Sequence, residues 1–194
     1  LWLLIGLLVA KTAATAITDW KGATSVAIIV DETQEYTMLA AEAVESLLAD
    51  AGVTVTSVSN ITPGASTYAD TLATALADSP DLVYVVTYYP EAAAIAYDFE
   101  VSGTDSICMV DYGGFDSGFI FNAGTETAQL CSVVGVPSPS DFPGSDALIS
   151  AFEDYFGIEP GVWTPYTYDS VLVLADAIER AGGTDEAALS EALA

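Results

Sequence analysis

Tyr88-Tyr89-Pro90-Glu91 follows an apolar run at Leu82–Val86. Adjacent phenols can stack on a small molecule and hydrogen-bond it through their hydroxyls. Asp111-Tyr112-Gly113-Gly114 closes a second run, Ile107–Val110, with an acid able to meet an ammonium group. Tyr36 stands shortly after a third run at residues 25–30, beyond Asp31-Glu32-Thr33. From position alone, the structural alternative for Tyr88 and Tyr89 is one ring packed under a helix and the other in water. Asp111 and Asp116 could share a metal or act as acid and base. Across a Gly-Gly turn that spacing is loose, and solvated loop acids are the default reading.

Absent residues exclude several chemistries. There is no histidine, which removes Ser-His-Asp and Cys-His catalysis and His-ligated metals. Cys108 and Cys131, without a CxxC, make no zinc site. They could be joined in an oxidising compartment or be free thiols buried in apolar strands. GxGxxG, GxxxxGK[ST] and GxSxG are missing, so neither a phosphate nest nor a nucleophile elbow is encoded, and no cofactor is implied. A phospho-receiver needs a cation beside its acids, yet Lys11 and Lys21 precede the first strand and Arg180 lies far downstream. Those 3 cations face 28 acids, a formal charge of −25, so no basic patch is available for nucleic acid. Such a surface suits high salt, where self-repulsion is screened; a genome biased against lysine would produce it too.

The elements that position these residues follow from periodicity. With 52% hydrophobic and 16% charged residues, the 194-residue chain is globular and about one domain long. Leu82–Val86 is apolar without alternation, as in a strand buried on both faces, and Pro90 suits the first turn of a helix. Strands are expected over 25–30, 53–58 (alternating, as at an edge), 82–86, 107–110 and 130–136. Helices are expected over 34–50, 67–77, 90–101, within 119–129, and over 146–156 and 168–181. The 168–181 helix would turn Val171, Leu174, Ala175 and Ile178 inward, and Thr184 would cap a last short helix. Residues 1–10 read either as the core of a signal peptide or as a helix continuing through Thr12 to Trp20. Pro137, Pro139 and Pro143 mark a linker or crossover. Strands alternating with helices give an α/β fold, a parallel sheet flanked by helices. Its carboxyl edge, where ligands bind in such sheets, would hold Tyr88 and Tyr89.

Three segments in order carry a family resemblance: VAIIVDETQEY (26–36), NITPGASTYADTLATALADSPDLVYVVTYYPEAA (60–93) and TYDSVLVLADAIERAGGTDEAALSEAL (167–193). Together they resemble the second lobe of the type I periplasmic binding proteins, in the leucine/isoleucine/valine-binding branch. The resemblance implies a Rossmann-like lobe of a two-lobed protein that closes on a small organic ligand and docks on the membrane permease of an ABC transporter. It implies no catalysis, and a periplasmic or extracellular location with a membrane anchor as a further option. On this basis residues 1–24 are an apolar lead-in and 25–136 the ligand-binding lobe. Residues 137–194 would be a crossover and return helices that pack on the other lobe, the chain being a piece cut at both ends.

Tyr36 matches the family's cleft tyrosine, one position late and with Thr37 in place of the usual glycine. Tyr88 and Tyr89 match the loop after the third strand. After the fourth strand an acid commonly meets the ligand's ammonium; the simplest alignment puts Tyr112 there, with Asp111 beside it. Asp111 could still supply the negative partner of an amino acid or amide. If it points away, an uncharged or anionic ligand is favoured. A sensor domain of a receptor or regulator, or an α/β enzyme using Asp111 or Asp31 as base, are the alternative functions.

Overall fold

The computed structural model describes residues 2–135 and 137–193, with side chains from residue 8 onward. Among these, five parallel strands form one sheet: β1 (Ser25–Asp31), β2 (Thr54–Ile61), β3 (Leu82–Val86), β4 (Ile107–Val110) and β5 (Cys131–Val133). Their order is β2-β1-β3-β4-β5. The helices are α1 (Trp2–Thr15), α2 (Glu35–Asp50), α3 (Ala69–Ala75), α4 (Tyr89–Ser102), α5 (Ser117–Ala123), α6 (Thr125–Ala128), α7 (Asp146–Phe156), α8 (Thr164–Ala181) and α9 (Glu186–Leu193). The chain divides into two compact units, Leu1–Val136 and Pro137–Ala194.

In the first unit every residue of β3 is buried, as are all of β1 beyond Ser25. On one face of the sheet Ala27, Ile29, Val83, Val85, Cys108 and Val110 meet Leu72 of α3 and Ala92, Ile95, Ala96 and Phe99 of α4. Alternation turns Val26, Ile28, Tyr84 and Met109 to the other face, where α2 buries Ala40, Ala41, Val44 and Leu48. Each large side chain so enclosed contributes roughly 1.5–3 kcal/mol. Residues 2–15 form α1, continued by one π-helical turn at Ala16–Trp20. Ala10, Ala13 and Ile17 of this segment are fully buried, and α1 packs against α2. Leu1 lies outside the described residues.

Local chemistry adjusts the expected boundaries. The helix expected from residue 67 begins at Ala69, because Asp98 of α4 accepts from the Tyr68 N–H at 2.6 Å and the Thr67 hydroxyl at 2.8 Å. The stretch 119–129 divides into α5 and α6 at Gly124, whose φ of +79° no helix accommodates. The strand expected over 130–136 is confined to Cys131–Val133, and Val136 lies outside the described residues. At the amino ends of β1 and β3, the Asp81 carboxylate accepts from Thr24 N and Oγ1 (both 2.8 Å) and Ser25 N (3.0 Å). Ser25 Oγ accepts in return from the Asp81 N–H at 2.9 Å.

In the second unit α8 begins at Thr164 with Pro165 in its first turn, earlier than periodicity indicates. Of the stripe expected to face inward, Val171 and Leu174 are 62% and 46% exposed, Ala175 is exposed and Ile178 is half-buried, while its neighbour Ala177 is buried. No described element of this unit covers that stripe. α9 is capped by Asp185, which accepts from Ala188 N at 3.1 Å, rather than by Thr184.

A disulfide joins Cys108 of β4 to Cys131 of β5, register partners with Cα atoms 4.5 Å apart. It tethers a short edge strand and closes a loop of 23 residues. Replacing both cysteines by serine is expected to lower stability by about 3 kcal/mol, the loop-closure value for that length, measured by urea unfolding. The three donors hold the Asp81 carboxyl below its ordinary range. Its stabilising contribution is therefore present above the ordinary carboxylate pKa and is lost as pH falls through the lowered value. Asp81→Ala should melt earlier than the parent at pH 7, with the gap closing in acid; a gap that persists in acid would refute the assignment.

Candidate functional site

In this strand order the chain reverses direction across the sheet between β1 and β3. The loops leaving those two strands run to opposite faces and open a crevice at their carboxyl ends. Asp31, the last residue of β1, is buried and accepts from Thr33 N at 2.8 Å and Thr33 Oγ1 at 2.7 Å. Thr37 Oγ1 donates to the Asp31 carbonyl at 2.5 Å, which fixes the entry to α2 and with it Tyr36.

Asp111 extends the β4 ladder by donating its N–H to Val85 O at 2.8 Å. Its carboxylate turns inward and is wholly buried. Tyr36 donates its hydroxyl to Oδ2 at 2.8 Å, and Tyr84, from the middle of β3, donates to Oδ1 in a short hydrogen bond. Burial pushes the Asp111 carboxyl up, while the two phenols and the backbone N–H groups of Tyr112 and Gly113 pull it down. Both phenols titrate above their ordinary value, first because they are buried and second because of the negative charge of Asp111. Asp111 is thus sealed and not the solvated loop acid expected by default; burial outweighs its four donors and holds the carboxyl above its ordinary range. Asp116, its suggested partner, instead caps α5 by accepting from Gly118 N at 2.7 Å.

Tyr88 is 37% exposed, and its phenol is raised by burial, then by the charges of Asp31 and Asp111. It thus stands over the same crevice as Tyr36. Gly113 keeps this corner tight: a Cβ there would lie 2.7 Å from Thr87 O and 3.4 Å from Tyr88 Cδ1. Tyr112 is buried within 3₁₀ turn 112–114, near enough to Tyr36 for its charge to raise that phenol. Tyr89 goes elsewhere. Its ring lies against Gly118 of α5, where a Cβ would come within 2.5 Å of Cε2. The structure therefore gathers Tyr36, Tyr88, Asp111 and Tyr112 and separates Tyr89 from them.

Tyr84 was hidden in an apolar run. Its one signal is a phenol among aliphatic residues, since a buried tyrosine hydroxyl needs a partner. Thr87 was also missed: its Oγ1 is buried without a hydrogen-bond partner among the described residues. A cavity of about 570 Å³ opens at the opposite, amino-terminal edge, beside Lys21, Ser79 and Asp81. Its acid Asp81 is already engaged by Thr24 and Ser25.

Asp111→Ala should destabilise the chain by about 1–3 kcal/mol, because the Tyr84 hydroxyl is left buried without an acceptor. Tyr84→Phe should cost a similar amount by removing a donor from the carboxylate. Urea midpoints equal to the parent's would show that the pair is not formed.

The sequence profile of the periplasmic binding proteins matches residues 8–194. The leucine-, isoleucine-, valine-, threonine- and alanine-binding protein of Pseudomonas aeruginosa is 25% identical over 169 residues, covering 87% of this chain and 45% of that protein. Among solved structures, a leucine-binding protein of Thermotoga maritima superposes with a TM-score of 0.80 at 24% identity, covering 96% of this chain and 53% of the other. A solute-binding protein of Rhodopseudomonas palustris in complex with benzoate gives 0.75 at 13% identity, covering 97% and 50%. The chain spans about half the length of the relatives it matches. With its parallel sheet and flanking helices, it belongs to the periplasmic binding protein family.

Proposed function

We propose that this chain is a ligand-contacting lobe of a solute-binding protein that delivers a small organic molecule to the membrane permease of an ABC importer. One observation carries the reading: Tyr36 in the first turn of α2, Tyr88 after β3, and Asp111 and Tyr112 after β4 converge at the crevice between β1 and β3. A phenol wall there can stack on a ligand and bond it. The mechanism is capture without turnover. Ligand would bridge this lobe and a second one, and its differential affinity for the closed arrangement would set the closed population. Two of the named relatives are amino-acid-binding proteins by name and the third holds benzoate, which makes an amino acid, an amide or a related compound the first ligand class to try. The Cys108–Cys131 bond favours a periplasmic or extracellular setting.

Calorimetric titration of the complete two-lobed protein with branched-chain amino acids, amides and carboxylates tests this. One class should bind, and Tyr36→Ala or Tyr88→Ala should weaken it at least about tenfold, the loss of roughly 1.4 kcal/mol. Tight binding that neither substitution alters would place the ligand away from this edge.

A further inference from the structure

Asp111 has no room for a ligand. It is fully buried, and its oxygens are taken by Tyr36 and Tyr84. Tyr36 is half-buried, with a hydroxyl that has one proton to give, and that proton is given inward to Asp111. What remains of the hydroxyl toward the crevice is a lone pair. Neither lysine forms an ion pair among the described residues, and Lys21 donates instead to Ser132 Oγ at 2.7 Å. Among the described residues no cation therefore pairs with the Asp111 carboxylate behind Tyr36.

We infer that Asp111 acts on ligand only through Tyr36, fixing its hydroxyl as an acceptor, and that Tyr84 is the positioning residue that holds Asp111 to this task. This rests on the ligand-binding reading of the same edge. The consequence is a selectivity rule. The ligand group that meets Tyr36 must be a hydrogen-bond donor, an N–H or best a protonated amine, and a bare carboxylate is refused. Tyr84 contributes from behind the site. Without its hydroxyl, Asp111 Oδ1 loses its donor, the carboxylate can turn, and the Tyr36 proton is no longer held inward. An amide at position 111 has a different effect. Its NH₂ would donate to one of the two phenols, and a phenol that accepts is free to point its own proton outward.

The test uses the complete two-lobed protein with ¹³C-labelled tyrosine rings and three probes that share a ring: benzylamine, benzamide and benzoate. Hydroxyl-proton spectra come first and need no ligand. Slowly exchanging, downfield hydroxyl protons are expected for Tyr36 and Tyr84, and Asp111→Asn should shift or lose both. In titrations, benzylamine and benzamide should move the Tyr36 ring signal, with benzoate at least about tenfold weaker. Tyr84→Phe should narrow that ratio more than it lowers benzylamine affinity, which a purely structural role would not do. Asp111→Asn should narrow or reverse it, and Tyr36→Phe should weaken benzylamine binding, followed at the Tyr88 ring signal, while circular dichroism stays unchanged. Benzoate bound as well as benzylamine at Tyr36, or a ratio that ignores positions 84 and 111, overturns this inference alone. A Tyr36 that responds to none of the three probes overturns the ligand-binding reading with it.

Discussion

Parallel strands cannot be joined by a tight turn, and each connection must cross from one end of the sheet to the other. That constraint organises the whole first unit. Every crossover lays a helix on a face, so β1 and β3 are enclosed on both sides and consist almost entirely of aliphatic residues. With both faces covered, the polar chemistry is left to the edges. The amino-terminal edge is fastened by Asp81 on Thr24 and Ser25. The carboxyl edge, where the loops diverge between β1 and β3, holds the polar and aromatic groups of the candidate site.

At that edge a second constraint takes over. A carboxylate removed from water must find donors in the protein. Asp111 draws them from α2, β3 and its own turn, which joins elements far apart in the chain. In a chain with 3 cations no ion pair was available for this purpose, and phenols do the work instead. The aromatic hydroxyls are thereby given fixed directions. A tyrosine whose proton is held from behind presents one kind of hydrogen bond to its front, and a preference in the crevice follows from the packing beneath it.

The aliphatic runs, helix periods and punctuating glycines were enough to indicate a parallel α/β sheet, with tyrosines and an acid at the strand ends. They also revealed the family resemblance, since they are what the lobes of that family have in common. The reason is physical: period and turn chemistry are local, and a buried parallel strand has a composition that few other elements share. Some boundaries moved because a distant side chain intervened, as Asp98 does at the start of α3, and others for local backbone reasons, as at Gly124. The α8 stripe shows the limit of such reading, since helical periodicity shows that a face is apolar without showing what covers it.

By itself, then, the sequence determined the strands and helices, which residues reach the carboxyl edge, and the chemistries ruled out by the lack of histidine and of basic residues. Tertiary structure decided the direction of each side chain at that edge. It sent Tyr88 toward the crevice and Tyr89 onto Gly118, sealed Asp111 inside, and paired it with Tyr84, a residue indistinguishable by pattern from its apolar neighbours. A hydrogen bond between positions 84 and 111 depends on how β3 and β4 register and on which face each residue takes. Those are properties of the assembled sheet, and no local stretch of the chain contains them.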